Sequence, residues 1–255
     1  MLLAMVLSIA AMHSCSAAGR SSSTVRIVAL GDSTTAPEHP WAPEVKRVYA
    51  DCLPRALARY GIEAKVFNAG IGDTTTRDAV LRLDRDVFSH RPDIVVVQFG
   101  INDSWIDADY GKTAPRLTRS EYRGNLETII AAVHVHGSRT VLMTPNPMRW
   151  GNPYYIKVFR KHAGLLDVNA TRGIDRLLDI YVQDVREVAR REHVPLVDVF
   201  NAFEAYGRVP GQSIRALLLR GGIHPNQRGQ DLVCRLLTRT LVRILAPSKK
   251  MRHSS

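Results

Sequence analysis

Apolar residues follow two alternating patterns from residue 25 to residue 245. Short runs rich in β-branched residues are typical of buried strands, and they occur at 25–30, 64–67, 94–98, 140–144 and 195–199. Between these runs, apolar residues recur at the three- and four-residue spacing of a helix. Because near-continuous apolar strands alternate with helices, we predict a parallel sheet that helices cover on both faces.

Four helical stripes define predicted helices, and such stripes far more commonly pack against a sheet than bind a ligand. The first contains Trp41, Val45, Val48, Cys52, Leu53, Ala56 and Tyr60; the second Tyr122, Leu126, Ile129, Ile130 and Val133; the third Ile174, Leu177, Tyr181, Val185 and Val188; the last Leu232, Val233, Leu236, Leu237, Leu241 and Ile244. We therefore assign all four stripes to the core.

The chain has 255 residues, which is enough for one substantial core, and the regular alternation favours a single domain at 25–246. We expect a disordered Ser-rich joint at 19–24 and a frayed basic tail at 247–255. Residues 1–18 are apolar and then small, which predicts a signal peptide cleaved after Ala18 and a secreted or periplasmic protein. A signal peptide usually begins with positively charged residues, and here no Lys or Arg precedes Arg20. A lipoprotein anchor on Cys15 and a disordered or wrongly assigned start are therefore the alternatives.

The formal net charge is +11 at pH 7, and the basic residues are spread along predicted helices. This distribution is typical of a solvated surface, and it would also favour an acidic polysaccharide or an anionic lipid surface. No nucleic-acid-binding motif accompanies the charge, and no segment after residue 20 could cross a bilayer. The histidines at 134, 136, 162 and 193 lack metal-ligand spacing, so we expect no metal or other cofactor. The sequence leaves the oligomeric state open.

Three polar motifs stand where strands end or where the last helix begins. Gly-Asp-Ser occupies 31–33, Gly-Ile-Asn-Asp occupies 100–103, and Gly-Ile-His-Pro-Asn occupies 222–226. Functional groups gather at the carboxyl ends of the strands in an open parallel sheet. A serine, an asparagine and a histidine at that edge provide a nucleophile, an oxyanion donor and a general base.

These motifs resemble those of the SGNH hydrolases, the GDSL-type esterases and lipases, over residues 25–245. The resemblance implies an α/β fold with three α/β/α layers and a flavodoxin-like five-stranded parallel sheet. It also implies that Ser33 and His224 are catalytic and that Ser33, Gly72 and Asn102 form an oxyanion hole. Gly70 is the alternative to Gly72, because the stretch 68–74 is one residue shorter than the commonest family pattern.

One position departs from the family pattern. Members usually carry an aspartate three residues before the histidine, and here Gly221 stands at that position. The imidazole would then be oriented by a backbone carbonyl in a Ser–His dyad, or by an acid from elsewhere, with Asp198 and Glu204 the nearest candidates. The departure also leaves open a module of another class, which binds an ester or a carbohydrate without catalysis.

The segment 145–173 is too long for a simple connection, and it holds Trp150, Tyr154 and Tyr155 beside basic residues. Aromatic faces with basic neighbours suit a sugar ring, although they would also cover an acyl chain or simply pin the segment to the body. No extended apolar run that could line an acyl tunnel follows the strands. We therefore expect an ester hydrolase that removes small acyl groups such as acetyl from a carbohydrate, with a lysophospholipase or thioesterase as the alternative.

Cys52 and Cys234 would be the only cysteines left after signal cleavage. In a doubly wound sheet the first and last helices pack on the same face, so the two residues would lie at comparable depth. An exported protein would let the two thiols pair. Two buried, unpaired cysteines are the other interpretation, and we favour it because cysteine is among the most buried residue types.

Overall fold

The computed structural model describes residues 24–37, 39, 42–149 and 175–246. The elements run in the order β1 (Val25–Gly31), α1 (Tyr49–Ala58), β2 (Ala64–Gly70), α2 (Thr76–Leu81), α3 (Leu83–Asp86), β3 (Ile94–Gln98), α4 (Arg119–Val135), β4 (Arg139–Met143), α5 (Asp175–Arg191), β5 (Leu196–Val197), α6 (Val199–Gly207) and α7 (Gln227–Leu245). The predicted signal peptide with Cys15, all but one residue of the predicted joint and the predicted tail lie outside the described residues. None of the helices described here has the length and apolar character to span a membrane.

The five strands form one parallel sheet in the order β2-β1-β3-β4-β5. This is the flavodoxin-like order, so the predicted fold class is confirmed. The reversal of strand order falls between β1 and β3, and the carboxyl ends of β2, β1 and β3 meet there, at Gly70, Gly31 and Gln98. Chain segments that follow these three strands are therefore neighbours in space.

The sheet is buried on both faces because successive side chains of a strand point to opposite sides. Ile27 and Ala29 of β1 pack with α1 and α7 on one face. Val28 and Leu30 pack with α4 and α5 on the other face. The alternation explains why the strands have near-continuous apolar runs.

Several element boundaries differ from the sequence-based prediction, and hydrogen bonds explain two of them. The first helix begins at Tyr49, after Val45 and Val48, because the backbone N–H groups of Lys46 and Arg47 donate to the Gln227 side chain instead of continuing a helix. The fifth strand ends at Val197 rather than at 199. Asp198 accepts a hydrogen bond from the Asn201 N–H and so caps α6.

Cys52 of α1 and Cys234 of α7 form a disulfide with a Cα–Cα distance of 6.3 Å. Our preference for two unpaired thiols was therefore wrong. The two helices pack directly against each other on one face of the sheet, which brings the two sulfur atoms within bonding range.

We expect Cys52→Ala to lower the free energy of unfolding by about 3–5 kcal/mol, because the disulfide closes a long loop of the unfolded chain. The two cysteines are 182 residues apart. Urea denaturation of the oxidised protein measures the effect. The double variant Cys52→Ala with Cys234→Ala should lose no more free energy of unfolding than the single variant, because the same disulfide is absent from both. Equal stability of variant and wild type would contradict a stabilising role.

Candidate active site

Ser33 lies in a tight turn at the carboxyl end of β1. The Asp32 carbonyl accepts hydrogen bonds from the Thr35 and Ala36 N–H groups, which closes the turn. A Cβ atom at Gly31 would lie 2.2 Å from the Thr35 hydroxyl, so only glycine lets the chain turn this closely. The turn leaves Ser33 half-buried at the edge where β1, β2 and β3 end.

The side chain of Asp32 stabilises this turn. Its Oδ1 accepts hydrogen bonds from both the N–H and the hydroxyl of Thr34, each at 2.8 Å. Burial raises the pKa of this carboxyl from its ordinary value to about 6, although the bonds from Thr34 oppose that effect. The contacts of Asp32 are with the turn itself, so the residue supports Ser33 structurally.

The structure brings Ser33 and His224 together across 191 positions of sequence, with Ser33 Oγ 2.9 Å from His224 Nε2. The backbone around the histidine is held on both sides. Asn146 donates to the Ile223 carbonyl, and the Leu219 N–H donates to the His224 carbonyl. The imidazole is therefore carried by an anchored loop.

Asn226 ends that loop by capping α7. Its side-chain oxygen accepts hydrogen bonds from the Arg228 and Gly229 N–H groups. Its Nδ2 donates to the carbonyls of Ala216 and Leu218. One asparagine thus starts the last helix and fixes the loop that carries His224.

Burial lowers the pKa of His224 from its ordinary value to about 4, and the nearby charge of His39 contributes in the same direction. The imidazole therefore remains unprotonated over most of the acidic range. An unprotonated Nε2 can accept a proton from the Ser33 hydroxyl.

We expect the acidic limb of the pH profile of kcat/KM to lie near pH 4, and not near the ordinary imidazole pKa of about 6.5. The sign follows from the lowered pKa, because activity that needs neutral His224 is lost only when pH falls through that value. Hydrolysis of p-nitrophenyl acetate between pH 3 and pH 8 measures the limb. Circular dichroism at each pH identifies any unfolding, and a limb at pH 6.5 in folded protein would contradict the assignment.

Gly72 lies beside Ser33, and Gly70 has a different role. A Cβ atom at Gly72 would lie 3.8 Å from Ser33 Cβ, whereas one at Gly70 would lie 2.4 Å from the Ala36 nitrogen. The Gly70 N–H donates to Asn68 Oδ1 at 2.9 Å. Gly70 is therefore required for close packing of β2 against the Ser33 turn, and its N–H is already engaged.

The side chains of Asn102 and Asp103 hold the chain segment that contains Gly72. Asn102 Nδ2 donates to the Thr74 carbonyl at 2.9 Å. Asp103 Oδ1 accepts from the Thr76 N–H and hydroxyl, and burial raises the pKa of Asp103 to about 7. The Gly-Ile-Asn-Asp motif thereby connects the end of β3 to the chain that follows β2.

Asp198 and Glu204 are not brought to His224. Asp198 pairs with Arg186 and caps α6, while Glu204 pairs with Arg149. Both carboxylates thus stabilise the region around α6. A Cβ atom at Gly221 would meet no other atom within 4 Å, so space does not explain the absence of an aspartate there.

We expect Glu204→Gln and Asp198→Asn to leave kcat within about threefold of wild type. Loss of the orienting acid of a serine triad can lower kcat by about four orders of magnitude, so a small effect would distinguish the two roles. Asparagine preserves the cap of α6, and glutamine preserves a partner for Arg149. Steady-state hydrolysis of p-nitrophenyl acetate is the measurement, and a loss of more than a hundredfold would make either residue the orienting acid.

Several positions that shape the site carried no recognisable signal in the sequence. Arg82 is buried and donates to the carbonyls of Gly31 and Ala69, so it ties together the ends of β1 and β2. Gln230 of α7 donates to the Thr34 carbonyl, and His39 bonds to the Ser33 carbonyl. Trp150, Tyr154 and Tyr155, predicted to bind substrate, lie outside the described residues.

A model of the GDSL-like lipase/acylhydrolase family matches residues 29–232. The chain belongs to this family. The match confirms the SGNH-type resemblance and makes the protein a member of a family of ester-hydrolysing enzymes.

Two similar proteins match this chain over different shares of their length. The uncharacterized lipoprotein YqeF of Bacillus subtilis (strain 168) is 33% identical over 159 residues, which are 62% of this chain and 63% of that protein. An acetylxylan esterase of Geobacillus stearothermophilus is 26% identical over 178 residues, 69% of this chain and 72% of the esterase. The chain thus spans slightly less than two thirds of YqeF.

Solved structures give the same fold. A lipase/acylhydrolase from Enterococcus faecalis superposes with a TM-score of 0.65 at 27% identity, covering 89% of this chain and 100% of that chain. The acetylxylan esterase Axe2 from Geobacillus stearothermophilus has a TM-score of 0.65 at 23% identity, covering 85% and 94%. The second likeness concerns the fold alone.

Proposed function

We propose that this GDSL-family protein is a serine carboxylic ester hydrolase that forms an acyl-enzyme on Ser33. The observation that carries the proposal is the 2.9 Å distance between Ser33 Oγ and His224 Nε2 at the carboxyl edge of the sheet. His224 takes the proton as Oγ attacks the acyl carbon, and then gives it to the departing alcohol. Water repeats the sequence on the acyl-enzyme, which releases the acid and restores Ser33.

The negative charge of the tetrahedral intermediate would be met by three donors: the N–H groups of Ser33 and Gly72 and Nδ2 of Asn102. We favour Gly72 over Gly70 because Gly72 adjoins Ser33 and the Gly70 N–H is engaged by Asn68. Nδ2 of Asn102 has two hydrogens, so its bond to the Thr74 carbonyl leaves one for the substrate oxygen.

For the substrate we propose a small acyl ester, such as acetyl, on a carbohydrate. The chain that follows Gly72 forms one wall of an open polar groove of about 570 Å³, lined by residues that include Asp73, Thr75, Lys112, Thr113 and Arg116. Arg116 bonds to Asp73, and Lys112 is exposed with no ion-pair partner among the described residues. Carboxylate, ammonium and hydroxyl groups suit a hydroxyl-rich alcohol, and they do not suit an acyl chain.

The relationship to an acetylxylan esterase also supports a carbohydrate ester, at 26% identity. A lysophospholipase or thioesterase is the alternative within the fold. The alternative of another class is a carbohydrate-binding module without catalysis. Binding alone would not require the short contact between Ser33 and His224.

Hydrolysis of an acetylated xylooligosaccharide, p-nitrophenyl acetate and lysophosphatidylcholine tests the substrate class. We expect Lys112→Ala to lower kcat/KM for the oligosaccharide by about tenfold, the loss of one charged hydrogen bond, and to leave p-nitrophenyl acetate unchanged. Lys65→Ala, an exposed lysine of β2 that does not line the groove, is the matched control. A preference for lysophosphatidylcholine would favour the lipid alternative, and oligosaccharide binding without hydrolysis would favour the module.

We also propose that the protein works outside the cytoplasm, in the extracellular space or the periplasm, or anchored to a membrane surface by a lipid. A disulfide such as Cys52–Cys234 persists in oxidising compartments, and one relative is named a lipoprotein. Cell fractionation should find the disulfide-bonded form outside the cytoplasm. A reduced protein confined to the cytoplasm would contradict the proposal.

A further inference from the structure

A second histidine contacts the residue that carries the nucleophile. His39 Nε2 lies 2.9 Å from the backbone carbonyl oxygen of Ser33. A carbonyl oxygen can only accept, so Nε2 of His39 carries a proton and donates it to this bond. The direction of the hydrogen bond is therefore fixed by chemistry.

The bond belongs to a set that engages four successive carbonyls, those of residues 32–35. The Asp32 carbonyl accepts backbone N–H groups from within the turn. The Thr34 carbonyl accepts from Gln230 of α7, and the Thr35 carbonyl accepts from Asn68 of β2. The Ser33 carbonyl, the one that belongs to the nucleophilic residue itself, accepts from His39.

The backbone of His39 has a hydrogen bond of its own, besides the one made by the side chain. The His39 carbonyl accepts a hydrogen bond from the Ala42 N–H at 2.8 Å, and the Ala42 carbonyl accepts one from Val45. The His39 carbonyl thus has a backbone partner that does not depend on the imidazole. The imidazole is half-buried, and its ring centroid lies 6.5 Å from that of His224 at an interplanar angle of 74°.

We propose that His39 is a positioning residue for catalysis, which acts by holding the Ser33 carbonyl and thereby fixing the backbone torsion ψ of Ser33. That torsion sets the peptide plane that leads from Ser33 to Thr34. The Ser33 side chain projects from the same Cα, so its direction depends on how this backbone is held. A misplacement of about 1 Å at a reacting group can cost about a hundredfold in rate, so a modest anchor at this point affects the reaction. The inference rests on the proposed function, in which Ser33 is the nucleophile.

The variants His39→Gln and His39→Met test the proposal as a matched pair. Both replacements are unbranched and of similar length, but only glutamine has an N–H group that can reach the carbonyl. We expect His39→Met to lower the maximal rate of inactivation by a fluorophosphonate about five- to tenfold, the effect of one hydrogen bond, with the half-saturating concentration unchanged. We expect His39→Gln to stay within twofold of wild type.

The outcomes separate this inference from the proposed function. Failure of the fluorophosphonate to label wild-type Ser33 would overturn the proposed function. Normal labelling of wild type with equal rates for the two variants, whether both fast or both slow, would overturn the role of the His39 donor. Thermal unfolding identifies loss of fold, and if His39→Met does not fold, His39→Leu replaces it as the variant without a donor and is judged by the same comparison.

Discussion

Replacing His224 with alanine is expected to lower kcat/KM for p-nitrophenyl acetate by about four to six orders of magnitude. The hydroxyl of Ser33 is a poor nucleophile at neutral pH, and His224 Nε2, at 2.9 Å, is the group that accepts its proton. Removal of the histidine or the serine of a comparable catalytic unit costs about six orders in kcat. Steady-state hydrolysis at pH 7 measures the loss.

The double variant of Ser33→Ala with His224→Ala should be no slower than either single variant, because residues that act as one unit are not additive. Circular dichroism and thermal unfolding verify that each variant is folded. Since His224 lies in a loop whose backbone is held by Asn146 and Asn226, its side chain can be removed without releasing the loop. A loss of less than tenfold for His224→Ala would contradict its role as the base.

Replacing Asn102 with alanine is expected to lower kcat by about two to three orders of magnitude, the usual cost of one oxyanion donor. The variant also loses the hydrogen bond to the Thr74 carbonyl, so a control must separate the two effects. Asn125→Ala is such a control, because Asn125 Nδ2 donates to the Thr76 hydroxyl in the same region. We expect Asn125→Ala to stay within a few-fold of wild type.

The comparison of the two asparagine variants decides what Asn102 does. A large loss for Asn102→Ala alone would support the oxyanion role. Equal losses for both variants, or no loss for either, would show that Asn102 only holds the chain that follows β2. Melting temperatures measured for both proteins relate any loss of activity to stability.

The sheet and the convergence at its edge could be predicted from local sequence. Buried parallel strands have continuous apolar runs, and the motifs at Ser33 and Asn102 directly follow β1 and β3. The Gly-Ile-His-Pro-Asn motif and the family resemblance indicate His224, and the Pro-Asn pair places it just before the capped helix α7. The order of the strands places the Ser33 turn at the edge of the sheet to which the loop with His224 returns.

The remaining features depend on contacts between distant parts of the chain, which local periodicity does not encode. Gln227 binds the backbone at 46–47 across about 180 positions. The first helix therefore begins at Tyr49, later than its apolar stripe predicts. Asp198 caps a helix where the sequence predicts a strand. The disulfide and the contact of His39 with Ser33 depend on how packed elements face each other, and residue spacing cannot determine that.

The most direct test of the account is the site of covalent labelling. The folded wild-type protein is treated with a fluorophosphonate, digested, and the adduct is mapped by mass spectrometry. The account predicts one adduct on Ser33, whose formation is abolished in His224→Ala, because the hydroxyl then lacks its base. An adduct on any other serine, or no adduct in a folded protein that hydrolyses esters, would contradict it.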